Sequence, residues 1–140
     1  TAAMAIGNPD AKIETLEGCA NTAQIANKMF LSHQLNNISI TTGDFQKTLD
    51  TSLQNTQYDL IYFDGNHAKD GTIEYFEKCL PYTHNNTLFL FDDIHWSLEM
   101  EEAWNYIINH NKVKVSIDTF QWGLVFFRKE QEKEHFIIRI

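Results

Sequence analysis

Acidic side chains recur wherever the apolar runs of this chain end, and histidines follow the last two of them. Glu17 follows Lys12-Ile13-Glu14-Thr15-Leu16, and Asp44 comes shortly after Ile38-Ser39-Ile40. Asp64 closes the run Tyr58–Phe63, and the pair Asp92-Asp93 closes Leu88-Phe89-Leu90-Phe91. His67 stands three residues after Asp64, and His95 stands two after Asp93. A carboxylate accepts hydrogen bonds from paired hydroxyls or from an amine. Several carboxylates together offer the hard oxygens that magnesium prefers. A histidine beside them can exchange a proton near neutral pH, the work of a general base. Asp92 and Asp93 cannot both point inward as bare anions, so a cation or a shared proton must accompany them. Two simpler roles compete: Asp44 is well placed to cap a helix N-terminus, and one of Asp92 and Asp93 can cap the helix that starts near Ser97. Trp96, Phe120 and Trp122 fall in loops near the same strand ends. They can wall an aromatic or apolar pocket, or serve as core or as a dimer contact.

Strands must bring these residues to one rim, because ligands of open α/β sheets bind outside the carboxyl ends of the strands. The chain alternates accordingly. A strand over 12–17 leads to a helix from Asn21 to His33 with Ile25, Met29 and Phe30 on one face. Asn37–Thr41 reads as a strand, followed by a helix capped by Asp44 and running to Leu53. Residues 58–63 read as a buried parallel strand, and 68–80 as a helix stopped by Pro81. Asn85-Asn86 turns into the strand Thr87–Phe91. Ser97 caps a helix to Asn109 with Met100, Ala103, Trp104 and Ile107 at helical spacing. Val113–Thr119 and Gly123–Arg128 are separated by too few residues for a crossover and form an antiparallel hairpin. Phe136–Ile140 reads as a last strand. Strand–helix units closed by a hairpin specify an α/β fold with a mostly parallel sheet, and right-handed crossovers put helices on both faces.

The 140 residues suit one domain, 1–140, with 43% hydrophobic residues. A net charge of −8, with no basic stripe, argues against nucleic acid as a partner. No apolar run approaches the ~20 residues of a membrane helix, and no leader is visible. Cys19 and Cys79 form no CxxC pair and read as reduced thiols of a cytoplasmic protein.

The order of Glu17-Gly18, Gly43-Asp44-Phe45 and Asp64-Gly65-Asn66-His67, ahead of a terminal hairpin, resembles the class I S-adenosylmethionine-dependent methyltransferases. Within them it is most similar to the small-molecule O-methyltransferases, over nearly the whole chain. The resemblance implies a Rossmann-like three-layer sandwich whose C-terminal strands form the antiparallel hairpin. It implies that Glu17 holds the ribose hydroxyls of S-adenosylmethionine, with Gly18 allowing close backbone approach. Asp44 corresponds to the acid that receives the adenine amino group, with Phe45 as a ring contact. Asp64 borders the cofactor and, with Asp92 and Asp93, stands where metal-dependent members bind Mg2+. The usual second pair there is Asp-Asn, so this chain departs by one extra charge. His67 falls where some members carry a lysine base, and His95 is a second candidate for that role. The implied activity is methyl transfer to a hydroxyl of a small-molecule acceptor, metal-assisted where the three acids converge.

Helix formers from Thr1 to Ile6, then Gly7 and Pro9, read as the last turn of a helix. On this reading the domain is partial. The family's first strand and glycine-rich turn precede Thr1 and belong between the strands at 12–17 and 58–63. The expectation is that donor binds weakly or not at all without that segment, and that a homodimer or rearrangement covers the open edges. Two other classes remain: a non-catalytic α/β nucleotide-binding or assembly domain, and a metal-dependent hydrolase using Asp64, Asp92, Asp93 and the histidines.

Overall fold

The structure, a computed structural model, describes residues 1–54 and 56–139. The chain divides into two compact units, Thr1–Gln54 and Asn55–Ile140. Among the described residues no helix is long and apolar enough to cross a membrane.

The first unit runs α1 (Ala2–Gly7), β1 (Ile13–Glu17), α2 (Ala20–Ser32), β2 (Ile38–Thr42) and α3 (Phe45–Ser52). β1 and β2 pair in parallel, with Ile13 opposite Ile38 and Glu17 opposite Thr42. The β-branched residues of both strands favour this pleated pairing. Asn37, just before β2, sends its side-chain amide to the carbonyls of Ala5, Asn8 and Ala11 and so ties the end of α1 to the sheet. α3 begins as its sequence dictates, with Asp44 Oδ1 accepting from the Gln46 N–H at 2.9 Å. One expectation is corrected in α2. Ala23 and Phe30 are its buried residues, whereas Ile25 is 70% exposed and Met29 is 39% exposed. A two-stranded sheet is too narrow to cover the full apolar face of a helix of this length.

The second unit runs β3 (Leu60–Phe63), α4 (Lys69–Cys79), β4 (Leu88–Asp92), α5 (Leu98–Asn109), β5 (Val115–Asp118), β6 (Trp122–Phe126) and β7 (Glu134–Ile137). Its sheet has the order β3-β4-β6-β5-β7. β3 and β4 are parallel, β6 is antiparallel to both β4 and β5, and β7 returns parallel to β5. The carboxyl ends of β3, β4, β5 and β7 therefore share one rim with the start of β6. That rim carries Asp64, Asp92, Asp118, Trp122 and Arg139.

Phe89 and Phe91 project from β4 to one face, two residues apart. Phe76 of α4 meets both rings, and Trp104 of α5 meets Phe91. Both helices of this unit thus lie on the same face of its sheet, and Phe63 stacks on Phe91 with centroids 4.4 Å apart. Phe76, Phe89, Phe91 and Ile107 are essentially sealed from water. Each such side chain contributes roughly 1.5–3 kcal/mol on burial. Met100, Ala103, Trp104 and Ile107 are all buried, as the helical spacing requires. Ser97 Oγ accepts from the Met100 N–H at 3.2 Å and starts α5. Pro81 ends α4 by sitting in a short 3-10 turn, Leu80–Tyr82.

Two strands differ from their sequence reading. β3 is half-exposed, not buried, because β4 is its single partner among the described residues. The last strand is Glu134–Ile137, with every residue exposed at the sheet edge, and the expected end at Ile140 lies outside the described residues.

Candidate active site

In the first unit the strand-end residues meet at one rim. The Gly43 N–H donates to the Glu17 carbonyl at 3.0 Å, so the turns after β1 and β2 adjoin. A Cβ on Gly18 would meet nothing but the Gly43 carbonyl oxygen, at 3.9 Å, so the surface beside Glu17 is open to close approach. Glu17 Oε1 accepts the Cys19 N–H at 2.8 Å, which fixes the carboxylate at the entrance to α2. Asp44 is exposed and engaged as the helix cap, and Phe45 beside it is half-buried. Glu17, Gly18, Asp44 and Phe45 are thus brought together, and Asp44 performs the simpler role of helix cap that its position allowed.

In the second unit the parallel pair β3–β4 brings Asp64, Asp92, Asp93 and His67 together. The Tyr62 hydroxyl donates to Asp92 Oδ2 at 2.8 Å, and the Asp93 N–H donates to Asp92 Oδ1 at 3.1 Å. Burial and the bond to Asp92 push the Tyr62 phenol's pKa up, so it stays a donor. Desolvation, and after it the negative charge of Asp92, raise the Asp64 pKa.

His67 lies between two of these acids without bonding either. Its Nε2 is 3.9 Å from Asp64 Oδ1 and its Nδ1 is 3.8 Å from Asp93 Oδ2, both beyond hydrogen-bond reach. Nε2 is nonetheless buried with no hydrogen-bond partner. An unpaired buried nitrogen is costly, and functional sites are where such costs are tolerated. The turn that carries it is stiff. Asn66 takes a left-handed backbone, φ 53°, and its side chain fills the space where a Cβ of Gly71 would lie.

The three acids are not arranged as a magnesium set. Both oxygens of Asp92 already accept hydrogen bonds, and no group of three His, Cys, Asp or Glu side chains among the described residues is placed to hold a metal ion. The expected set of Asp64, Asp92 and Asp93 therefore does not fit the ion as these side chains stand.

His95 has a different environment from His67. Its Nε2 lies 2.8 Å from Asp118 Oδ2 and its Nδ1 3.1 Å from Glu101 Oε1, and the protonated ring donates to both. Burial lowers the pKa of His95, but the two carboxylates outweigh burial and hold it above the usual histidine value. Both nitrogens are engaged by carboxylates. The sequence does not single out Asp118, because the residue falls inside the strand expected over Val113–Thr119. An acid at the true end of β5 was the available signal.

A cavity of about 250 Å³ opens beside these groups, lined by Asp93, His95, Trp96, Phe120 and Gln121. Trp122 is not among its walls and lies on β6 opposite Asp92. Among the described residues four non-glycine residues have left-handed backbones, and three of them, Asn66, Asp93 and Phe120, belong to this rim. Such conformations concentrate where the surrounding structure holds a ligand site in place.

The same architecture occurs in solved methyltransferase structures. The chain resembles SAH-bound methyltransferase PaMTH1 of Podospora anserina with a TM-score of 0.78 at 17% identity, covering 91% of this chain and 66% of that one. It resembles cofactor-bound Rv0187 from MTB with a TM-score of 0.73 at 14% identity, covering 88% and 64%. The O-methyltransferase TomG of Streptomyces achromogenes, involved in tomaymycin synthesis and solved with SAM, gives 0.69 at 15% identity, covering 86% and 64%. The chain thus spans about two thirds of the length of these structures. At these identities the likeness establishes the fold, an α/β Rossmann-like methyltransferase fold with antiparallel C-terminal strands. No curated protein sequence matches the chain. A family model described as a methyltransferase domain matches residues 3–94, through both strand-end acid groups to Ile94, and the chain belongs to that methyltransferase family.

Proposed function

We propose that this chain carries the donor-binding and proton-accepting residues of an S-adenosylmethionine-dependent methyltransferase acting on a hydroxyl of a small molecule. The observation that carries the proposal is His67 Nε2, buried and unpartnered between Asp64 and Asp93 at the ends of two parallel strands. In the first unit, Glu17 takes the ribose hydroxyls, Gly18 lets the backbone approach, and Asp44 and Phe45 receive the adenine. The open surface at Gly18 and the fixed Glu17 carboxylate support that fit. S-adenosylmethionine, when bound, supplies an activated methyl group on a sulfonium sulfur.

The chain's own work is orientation and proton transfer. His67 takes the proton of the acceptor hydroxyl, for which its ring must turn to bring the buried Nε2 to the cavity beyond Asp93. Asp64 and Asp93, each just under 4 Å away, stabilise the imidazolium that forms. Asp92, held by Tyr62 and by the Asp93 N–H, keeps the end of β4 in place beside Asp64. His95, with both nitrogens given to carboxylates, serves as pocket wall and not as base. Trp96 and Phe120 flank the flat apolar part of the acceptor in the cavity. No step runs through magnesium.

Calorimetric titration with S-adenosylhomocysteine tests the donor assignment. Glu17→Gln removes a charge-assisted acceptor, and its affinity is expected to fall about 10- to 100-fold. Unchanged affinity in Glu17→Gln would remove Glu17 from the donor site.

A further inference from the structure

We infer that Asp118 and Arg139 are positioning residues that hold Phe120 and His95 as one wall of the cavity beside Asp93 and Trp96. The inference rests on the reading of that cavity as the acceptor pocket. Phe120 is the unexpected residue. It is 62% exposed, yet its backbone has φ 77°, a conformation that glycine or asparagine takes at little cost and a bulky side chain does not. A hairpin loop that needed the conformation alone would be better served by glycine. The presence of a phenyl ring there, against the strain of that backbone, points to a use for the ring itself.

Asp118 supplies the restraint. Its side chain is 5% exposed at the end of β5. Oδ1 accepts the Phe120 N–H at 2.7 Å and Arg139 Nη1 at 2.9 Å, while Oδ2 accepts His95 Nε2–H at 2.8 Å. One buried carboxylate thereby fixes the backbone of Phe120, the ring of His95 and the guanidinium of Arg139. The two rings then touch, with His95 stacked on Phe120 at 5.4 Å between centroids and 20° between planes. The Arg139 guanidinium carbon lies 5.7 Å from the centre of the Phe120 ring, within cation–π range.

Arg139 reaches this place because β7 runs parallel to β5 and ends at the same rim. Its Nη1 also donates to the carbonyls of Asp118 and Ile138. β7 has no buried side chain, so burial does little to hold it. The hairpin would close without this contact, since Thr119 and Trp122 already bond each other across the loop. What Arg139 adds is a fixed position for the Phe120 ring.

The test uses the 15N-labelled chain with 2-naphthol as probe, in two arms. Binding is read from the Phe120 amide and Trp96 indole signals, and positioning from hydrogen exchange of the Phe120 amide without probe. Arg139 is half-exposed, so Arg139→Ala is expected to fold. In that variant Phe120 exchange should quicken about tenfold or more. Its 2-naphthol affinity should drop about 3- to 10-fold, the cost of re-ordering a side chain on binding. Arg139→Lys, which keeps the charge toward Asp118, should recover most of that loss, which a general loss of edge-strand stability would not predict. Unchanged exchange in Arg139→Ala overturns the positioning role whatever the probe does. Quickened exchange with no 2-naphthol shifts in the unaltered chain sustains that role and sinks the acceptor-pocket reading instead.

Discussion

Gly123→Ala puts the seat of the rim under direct test. Gly123 lies mid-sheet on β6, opposite Phe91 on one side and Asp118 on the other. A Cβ there would stand 2.6 and 2.7 Å from Cζ3 and Cη2 of Trp104, and 3.0 Å from Cγ2 of Ile94. Carbon atoms rest at roughly 3.5–4.0 Å, so the ring must move by about 1 Å. Neither neighbour moves freely: Trp104 is 4% exposed and Ile94 is 1% exposed. Overpacking of this kind costs about 1–3 kcal/mol. The reduced freedom of the unfolded chain returns about 0.4–1 kcal/mol. A net loss of about 1–2 kcal/mol is expected, or a fall in Tm of roughly 4–15 °C for a unit of this size. Urea denaturation followed by circular dichroism measures it. Trp104→Phe withdraws the part of the ring that clashes, so the double variant should be more stable than the two single losses added together. Wild-type stability in Gly123→Ala, or strictly additive losses, would show that Trp104 is not seated on this strand.

Other outcomes follow from single groups. Burial alone would raise the Asp118 pKa, but the Phe120 N–H, His95 and Arg139 outweigh it and lower it. Its stabilisation is therefore present above the ordinary aspartate pKa of ~3.9 and lost as pH falls through the depressed value. His95, raised in the folded chain, stabilises below its ordinary ~6.5 and ceases to as pH rises through the raised value. Tm against pH should thus fall at both ends, and Asp118→Asn should flatten both limbs; a profile identical to the unaltered chain would contradict the pairing. Cys19 is exposed, its thiol pKa lowered by hydrogen bonds from Thr22, whereas burial pushes the Cys79 thiol up to about 12. Iodoacetamide should add one group quickly at Cys19 and a second at Cys79 only on unfolding, as read by mass spectrometry. His67→Gln should lower methyl transfer by about 10²–10⁴ while leaving S-adenosylhomocysteine affinity unchanged. Equal loss in both would make His67 a donor-site residue and not the base.

Much of this organisation is legible in the residues. Alternation, capping and punctuation place Asp44 and Ser97 at helix starts, Pro81 at a helix end, and the acids at strand ends. These are local effects, decided within a turn or two of chain. The spacing of Met100, Ala103, Trp104 and Ile107 predicts a buried face for the same reason. Ile25 and Met29 share such a spacing and are exposed, because burial depends on how many strands lie opposite, which no local window records.

The histidines draw the line most clearly. Sequence alone placed His67 and His95 alike, each a short step beyond a strand-end carboxylate. Tertiary structure separated them through residues remote in the chain. Asp118 lies 23 residues from His95 and takes its Nε2–H, while Glu101 takes the other nitrogen. His67 has carboxylates on both sides and a bond to neither. Chain order determined that acids and histidines would meet at the strand ends. Which histidine was left with an unpaired nitrogen depended on side-chain distances that differ by about 1 Å, set by sheet register and by the return of β7.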